Sequence, residues 1–331
     1  MRELLTRLIR RDAGIEVVGA ASNGQEALAL MEKLKPDLIT MDLVMPVMDG
    51  RETTRQIMAR WPTPILVISA FDRAKDGNSV FRLIEDGAVD VLDKGMFEHQ
   101  PDFDAAAKEL IRRIKLLSGI KVSLHPLTPR KEMTPSIKAL PIEVVAMTAS
   151  TGGPAALNTL LRSLPKDFPC SILIVQHIAA GFTEGFARWL GDECGFPVLL
   201  ARDGMCACSS TVYVAPHGSH MTVMSGGILQ LTDGPAFEGN RPSGNVLFKS
   251  VAEAYGSRAI GVILTGMGTD GALGLRNIKE AMGIVIAQDE RTCSVFGMSK
   301  AAIDLGVADW VLPIQSIGPQ LLRLVNRARQ A

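Results

Sequence analysis

Short apolar runs alternate with segments of helical periodicity along the first third of the chain. Four apolar runs predict strands that are buried on both faces, as in a parallel sheet between helices: residues 15–21, 37–43, 64–70 and 88–92. Four segments with helical spacing lie between and after these runs: residues 24–34, 50–60, 79–87 and 104–117. This βα alternation predicts an α/β domain over residues 1–119.

A second alternating series begins near residue 141. Its apolar runs predict further strands: residues 142–147, 171–176, 212–215, 259–264, 284–288 and 310–312. Between the two series, residues 120–140 contain three prolines, a small excess of basic side chains and few residues that could build a core. The pattern therefore predicts two α/β domains, residues 1–119 and 141–331, joined by a linker over 120–140.

The composition is that of a globular protein, and its charge balance disfavours nucleic acid and membrane surfaces as partners. Of the 331 residues, 47% are hydrophobic and 21% are charged, and 35 basic residues balance 35 acidic ones. A chain without net charge has no global positive field to attract nucleic acid or an anionic membrane surface. No apolar run approaches the ~18–20 residues of a membrane span, and the charged start MRELLTRLIRR is unlike a signal peptide. We therefore expect a cytoplasmic protein without nucleic-acid partners or membrane insertion.

The cysteines indicate neither a disulfide framework nor a zinc site. Their number is odd and their spacing contains no CxxC pair: Cys170, Cys194, Cys206, Cys208 and Cys293. Reduced thiols are therefore expected.

A carboxylate, a hydroxyl and an amine follow three successive predicted strands of the first domain. Asp42 precedes the loop LVMPVMDG, Ser69 ends the run PILVIS, and Lys94 follows VDVLD. Because ligands collect at the carboxyl ends of parallel strands, these side chains could together hold a phosphoryl group. Asp42 would be the nucleophile, Ser69 a hydrogen-bond donor and Lys94 the balancing charge. A lone aspartate could simply end a strand, but three such groups favour the phosphoryl site.

These residues resemble the receiver domain of two-component response regulators, in which D-x-x-M-P-x-M-D-G is followed by Ser or Thr and then Lys. The resemblance implies a flavodoxin-like fold, phosphorylation of Asp42 by a histidine kinase, and Mg²⁺ bound beside Asp42. Gly95 stands where receivers usually have proline. The family's first strand, which is central in the 2-1-3-4-5 order and ends in the metal-binding acidic pair, has no counterpart here. We therefore expect a truncated receiver with an incomplete Mg²⁺ site, and a Met1 that is internal to a longer natural protein.

A serine follows the first predicted strand of the second domain on a glycine-rich turn. The run IEVVAM is followed by TASTGGP, which places Ser150 between a strand and the helix predicted over residues 155–164. Such a turn exposes the serine hydroxyl above the sheet, and backbone N–H groups at the start of the helix can stabilise an oxyanion. The same geometry also holds phosphate groups, so a phosphate- or nucleotide-binding turn at Thr151-Gly152-Gly153 remains open.

A histidine and an aspartate follow two other predicted strands. His177 directly follows the run SILIVQ, and Asp270 lies in the turn TGMGTDGA. His177 could accept the proton of Ser150, and Asp270 could orient the imidazole. Each has a structural alternative, since the histidine could be a hydrogen-bonded core residue and the aspartate could cap the following helix. His217 and His220 are competing bases in a different loop.

The whole set of motifs resembles the chemotaxis protein-glutamate methylesterase CheB. The resemblance rests on STGG, QH, GNRPS, LTGMGTDGA and SVFGM, which extend across the second domain. It implies a doubly wound α/β domain with a mostly parallel sheet, hydrolysis of glutamyl γ-methyl esters on methylated chemoreceptors, and deamidation of some receptor glutamines. A chemotaxis histidine kinase would be the second partner, and catalysis itself would need no metal or other cofactor.

The resemblance also assigns roles by motif. The catalytic residues would be Ser150 as nucleophile, His177 as base and then acid, and Asp270 as orienting carboxylate. The residues that support the oxyanion or the substrate would be Thr151, Met267 and Arg241.

The chain departs from the family motifs near these residues. The departures are Thr148 for the first glycine of G-A-S-T-G-G, Gly244 and Asn245 for V-D in R-P-S-V-D, and Ser299 for proline in G-M-P. The three catalytic positions are unaffected, so an altered substrate fit is expected rather than inactivity.

Three hypotheses about function remain open at this point. The first is an esterase whose unphosphorylated receiver covers the active-site face and whose phosphorylation at Asp42 removes this block. The second is a phosphate- or nucleotide-binding regulator, and the third is a signalling scaffold with a silent esterase domain. The motifs favour the first.

Overall fold

A computed structural model describes residues 1–69, 79–97, 103–120 and 141–330. The chain divides into two compact units, Met1–Leu124 and His125–Ala331. The linker predicted over residues 120–140 lies outside the described residues except for its first position, so it stays a prediction.

The first unit contains a three-stranded parallel sheet. Its strands are β1 (Ile39–Met41), β2 (Ile65–Ser69) and β3 (Asp90–Asp93), paired in the order β1-β2-β3. Its α-helices within the described ranges are α1 (Arg2–Ile9), α2 (Gly24–Leu34), α3 (Gly50–Arg60), α4 (Ser79–Glu85) and α5 (Phe103–Leu117), and a 3₁₀ helix covers Lys94–Phe97. The α/β alternation predicted for this part of the chain is confirmed.

Side-chain caps fix the starts of α2 and α3. Asn23 Oδ1 accepts a hydrogen bond from the backbone N–H of Glu26 at 3.0 Å, and Asp49 Oδ1 accepts one from Glu52 at 2.8 Å. Such caps satisfy backbone donors that a helix leaves open at its start. Both helices have the bounds that the sequence predicts.

The strand predicted over residues 15–21 is wrong. This segment pairs with no strand among the described residues, and Val18 is 44% exposed. A strand is stabilised by the hydrogen bonds of a ladder, so an apolar run without a neighbouring strand does not form one. In the order 2-1-3-4-5, the neighbour of this segment would be the central strand, which has no counterpart among the described residues. The other three predicted strands are present with shorter or shifted bounds.

The second unit is built on a larger sheet. Its strands are β4 (Val144–Ala149), β5 (Ser171–Gln176), β6 (Val198–Leu200), β7 (Val212–Val214), β8 (His220–Val223), β9 (Leu229–Thr232), β10 (Ala259–Ile263), β11 (Ile284–Gln288) and β12 (Trp310–Leu312). Its α-helices are α6 (Gly153–Arg162), α7 (Thr183–Cys194), α8 (Gly244–Tyr255), α9 (Ala272–Glu280), α10 (Met298–Asp304) and α11 (Ile314–Gln330). Seven strands form a wholly parallel sheet in the order β12-β11-β10-β4-β5-β7-β6, and β8 pairs with β9 in an antiparallel ribbon.

This topology favours ligand binding at the carboxyl end of β4. β4 lies between β10 and β5. After β4 the chain adds strands on the β5 side first and later adds β10, β11 and β12 on the other side. The carboxyl end of β4 is therefore the switch point of a doubly wound sheet. Every residue of these three strands is buried. Residues that follow them therefore start from fixed positions, and the predicted doubly wound fold is confirmed.

The sequence analysis missed β6 and the β8–β9 ribbon. β6 is a three-residue strand at the edge of the sheet, and its short run is only partly buried. The strands predicted over residues 171–176, 284–288 and 310–312 have the predicted bounds. Among the described helices, none has the length and apolar character needed to cross a membrane.

Candidate active site

Ser150 is the first residue beyond β4 and lies in a tight turn before α6. Its backbone N–H donates to the carbonyl of Thr265 at 3.0 Å, and its own carbonyl accepts from the N–H of Gly153 at 2.8 Å. A Cβ at Gly266 would lie 2.8 Å from Ser150 Cβ, closer than the ~3.5–4.0 Å of a normal carbon contact. A residue without a side chain is therefore needed where the loop after β10 passes Ser150.

His177 occupies the corresponding position on the neighbouring strand. Ala149 pairs with Gln176 in the ladder between β4 and β5, and the N–H of His177 donates to Ala149 O at 2.9 Å. Gln176 Nε2 donates to the carbonyls of both Ser150 and His177, each at 2.9 Å. The sheet register and this one amide thus hold Ser150 and His177 side by side.

Asp270 is hydrogen-bonded to the imidazole of His177. The distance between His177 Nε2 and Asp270 Oδ2 is 2.8 Å, and Asp270 is only 2% exposed. The alternative that Asp270 caps α9 is wrong, because the N-cap of that helix is Gly271 and the N–H of Gly274 in its first turn donates to Asn245 Oδ1 at 2.8 Å.

A cradle of donors surrounds the carboxylate of Asp270. The hydroxyl of Ser243 donates to Oδ1 at 2.6 Å, the N–H of Gly244 donates to Oδ2 at 2.6 Å, and the N–H of Asn245 donates to Oδ1 at 3.2 Å. Burial by itself raises the pKa of Asp270, but the hydrogen bonds and charge of His177, with those of Ser243 and Gly244, hold that pKa below its ordinary value. The carboxylate therefore stays ionised at neutral pH although it is buried.

The orientation of the imidazole decides which nitrogen can act as the base. Because Nε2 faces the ionised carboxylate of Asp270, the proton of a neutral His177 lies on Nε2. The lone pair is then on Nδ1. Nδ1 is accordingly the nitrogen that can accept a proton from Ser150.

Both competing histidines lie away from Ser150 in the hydrogen-bond network. His217 is exposed, whereas His220 is 3% exposed and accepts a hydrogen bond from the N–H of Ser243 through Nδ1 at 3.2 Å. His220 Nε2 lies 3.1 Å from Pro235 O. His220 thus supports the Asp270 cradle through Ser243.

The residues predicted to support the oxyanion or the substrate lie in three different settings. Thr151 is buried in the turn after Ser150, and its carbonyl accepts from Thr265 Oγ1 at 2.9 Å. Met267 directly follows Gly266 beside Ser150. The guanidinium of Arg241 donates to the carbonyls of residues 233 and 234 at 3.1 and 3.0 Å. Arg241 therefore stabilises a loop in this structure, and its role toward substrate stays a prediction.

Ser243 is a residue of the Asp270 cradle that the sequence analysis did not single out. It is fully buried, it is the N-cap of α8, and its hydroxyl bonds Asp270. The signal that could have found it is a serine directly before a predicted helix.

Replacing Ser243 by alanine should lower the free energy of unfolding by about 1.5–3 kcal/mol, because a hydrogen bond to a buried charge is lost. Urea unfolding of the full chain measures this. The matched control is Ser219→Ala, which removes a 2.8 Å hydrogen bond to Asp233 on an exposed surface and should cost less than about 0.5 kcal/mol. Equal losses in the two variants would show that the cradle is not energetically important.

The residues predicted to form the phosphoryl site lie at the carboxyl edge of the first unit's sheet. Asp42 follows β1, Ser69 ends β2, and Lys94 follows β3. Lys94 Nζ forms an ion pair with Asp42 Oδ2 at 2.5 Å. A Cβ at Gly50 would lie 2.2 Å from Asp42 O, so only glycine lets α3 begin this close to Asp42. The geometry is suited to holding a group on Asp42 next to a cation.

The side chains around Asp42 do not fit the predicted Mg²⁺ site. Within the described ranges, no group of three or more His, Cys, Asp or Glu side chains could hold a metal ion. The charged partner of Asp42 there is Lys94. The described residues thus do not form a magnesium site by themselves.

Comparison with known proteins agrees with both units. Residues 145–321 match the CheB methylesterase family, and residues 1–101 match the response regulator receiver domain. The chain is 45% identical to a protein-glutamate methylesterase/protein-glutamine glutaminase 2 of Anaeromyxobacter dehalogenans, over 98% of this chain and 94% of that protein. It is 44% identical to a protein-glutamate methylesterase/protein-glutamine glutaminase 1 of Syntrophus aciditrophicus, over 98% and 95%.

A solved structure is similar to the second unit. The CheB methylesterase catalytic domain of Thermotoga maritima is 38% identical, with a TM-score of 0.55, and the match covers 56% of this chain and 99% of that one. The family match, the long alignments to named methylesterases and the shared fold are consistent with one another. The chain therefore belongs to the CheB methylesterase family, with a response regulator receiver domain ahead of the esterase domain.

Proposed function

We propose that the chain hydrolyses glutamate γ-methyl esters of chemoreceptors with Ser150 as the nucleophile. The observation that carries the proposal is the buried, ionised Asp270 bonded to His177, beside the turn where Ser150 leaves the central strand. The relatives named above are methylesterases and glutaminases, which supports the same chemistry.

The reaction follows from the positions of these side chains. Ser150 Oγ attacks the ester carbonyl carbon while its proton passes to His177 Nδ1. His177 returns this proton to the departing methoxy oxygen, so that methanol leaves and a glutamyl ester of Ser150 remains. Water attacks this ester as His177 takes its proton, and His177 then gives the proton to the departing Ser150 Oγ. The products are free Ser150 and a glutamic acid side chain, which loses its proton to solvent and becomes a carboxylate. Asp270 stays ionised and stabilises the imidazolium. A glutamine substrate would release ammonia instead of methanol.

We propose that the backbone N–H groups of Thr151 and Met267 stabilise the oxyanion. Thr151 directly follows the nucleophile, and Met267 follows Gly266, whose position is in close contact with Ser150. Fixed N–H donors beside the reacting carbon stabilise the charge that develops on the carbonyl oxygen.

The phosphate-binding alternative is less well supported by the turn. The N–H of Gly153, which would face a phosphate, donates to Ser150 O. A Cβ at Gly152 would lie 2.4 Å from Ser294 Oγ, so the space beside this glycine is filled by protein. A catalytically silent esterase domain would not require an ionised Asp270 that accepts hydrogen bonds on both carboxylate oxygens and contacts His177.

Covalent labelling with a fluorophosphonate separates these alternatives. We expect one adduct, at Ser150, formed with loss of fluoride and strongly slowed in His177→Ala. Burial raises the pKa of the Cys293 thiol to about 12, so this thiol stays protonated and does not compete. Folded protein that takes up no label would contradict the proposal and favour the phosphate-binding or scaffold hypothesis.

We further propose a cytoplasmic enzyme whose receiver is phosphorylated on Asp42 by a chemotaxis histidine kinase and whose substrates are methylated chemoreceptors. The ion pair between Asp42 and Lys94 supports Asp42 as the acceptor, because Lys94 would balance the added charge.

Removing residues 1–119 should raise the rate of ester hydrolysis by about tenfold, a typical coupling between two sites, if the unphosphorylated receiver restrains the esterase. Initial rates of methanol release from the full chain and the shortened chain measure this. Asp42→Asn in the full chain is the control, since it keeps the receiver and should leave the low rate unchanged. Equal rates for the full and shortened chains would contradict inhibition by the receiver.

A further inference from the structure

Thr148 lies in β4, two residues before Ser150, and its side chain is fully buried. It contacts two glycines that belong to different parts of the chain. A Cβ added at Gly244 would lie 2.6 Å from Thr148 Oγ1 and 2.9 Å from Thr148 Cβ. A Cβ added at Gly271 would lie 2.6 Å from Thr148 Cγ2. Both glycines therefore leave the space that the threonine side chain fills.

These two glycines are part of the backbone that holds Asp270. The N–H of Gly244 donates to Asp270 Oδ2 at 2.6 Å, and Gly271 directly follows Asp270. The N–H of Gly271 donates to Asn245 Oδ1 at 3.0 Å, which ties the two backbone segments together. Thr148 thus packs against both segments of the cradle from the strand that carries the nucleophile.

Thr148 contributes to the packing around Gly244 and Gly271 through the shape of its side chain. Within the described residues, Thr148 Oγ1 has no hydrogen-bond partner although it is buried. A buried hydroxyl without a partner costs free energy, so the hydroxyl itself does not explain the choice of residue. The methyl group and the oxygen instead fill the gap between Gly244 and Gly271.

We propose that Thr148 is a positioning residue, which sets the distance between the strand of Ser150 and the cradle of Asp270, and that Gly244 is its size-matched partner. This inference rests on the proposed roles of Ser150, His177 and Asp270. If Thr148 is lost, the cradle can move toward β4 and carry Asp270 with it, so that His177 is no longer held against Ser150. A shift of this kind reduces reactivity, since misplacement by about 1 Å can cost about a hundredfold in rate.

The test measures the second-order rate constant for fluorophosphonate labelling of Ser150, its dependence on pH, and the melting temperature, all on the full chain. Thr148→Val keeps the shape and should label within about threefold of the parent. Thr148→Gly should label about 10- to 100-fold more slowly. Adding Gly244→Val to Thr148→Gly fills the space of the missing threonine side chain from the opposite segment. The double variant should label at least about fivefold faster than Thr148→Gly. Such a coupling is expected for residues in contact.

The matched control is Val145→Gly, which introduces glycine at a buried position of the same strand that faces away from the cradle. It should lower the melting temperature but label within about threefold of the parent, with the parent's pH profile. The proposal is overturned if Thr148→Gly labels like this control, or if Gly244→Val slows Thr148→Gly further. If the parent itself takes up no label, the proposed function fails first, so the two failures are distinguishable.

Discussion

Replacing Ser150 by alanine should lower the hydrolysis of a peptide that carries a glutamate γ-methyl ester by about 10⁴- to 10⁶-fold, because no acyl-enzyme can form. The small residual rate would come from the oxyanion site and from substrate binding. Methanol release measured over hours gives both rates.

Ser225→Ala is the control for this experiment. Ser225 lies on the exposed turn between β8 and β9, so the same substitution there should leave the rate unchanged. A Ser150→Ala enzyme that retains more than about a hundredth of the parent activity would contradict the assignment of the nucleophile.

Asp270→Asn should lower the turnover number by about 10⁴-fold with little change in KM. The carboxylate accepts from His177, Ser243 and the N–H groups of Gly244 and Asn245. An amide of the same shape must point its NH₂ group at one of these donors, which reverses a hydrogen bond and removes the charge that stabilises the imidazolium. A rate within tenfold of the parent would show that Asp270 does not orient the base.

The same variant should change how stability depends on pH. The folded protein holds the pKa of Asp270 below its ordinary value of 3.8, so the ionised carboxylate contributes stability above that pH. This contribution is lost as the pH falls below 3.8 and through the lower folded value. Parent protein should therefore lose more unfolding free energy than Asp270→Asn on acidification from pH 6 to about pH 3. Parallel losses in urea titrations at each pH would contradict the lowered pKa.

Much of the fold was predictable because the strands that form it are buried runs. Residues 171–176 and 284–288 are buried throughout and apolar except for Ser171, Gln176 and Gln288 at their ends, so periodicity and length identify them. Residues 15–21 have the same apolar character but no neighbouring strand, and a local pattern carries no information about whether a partner exists.

The proximity of Ser150 and His177 was predictable, because each directly follows a strand and a parallel sheet brings its carboxyl ends to one edge. Asp270 lies further along the loop after β10, and the glycine-rich motif around it indicated its place. The places of Ser243 and His220 in the Asp270 cradle were not predicted. They depend on hydrogen bonds from Ser243 to His220 and to Asp270, which are 23 and 27 positions away in the sequence.

The departures from the family motif illustrate the same limit. Thr148 and Gly244 are far apart in the sequence, where they are two independent departures. Only the distance between them indicates that the larger residue at one position fills the space left by the smaller residue at the other. A contact of this kind is set by packing and leaves no periodic signal.

The most direct test of the proposed function is methanol release from membranes that contain methylated chemoreceptors. Purified full-length protein should release methanol until the receptor methyl esters are consumed, and Ser150→Ala protein at the same concentration should release none above background. Methanol release that is equal for parent and Ser150→Ala, or absent from folded parent protein that still takes up a fluorophosphonate at Ser150, would contradict the assignment of this chain as a serine-dependent receptor methylesterase.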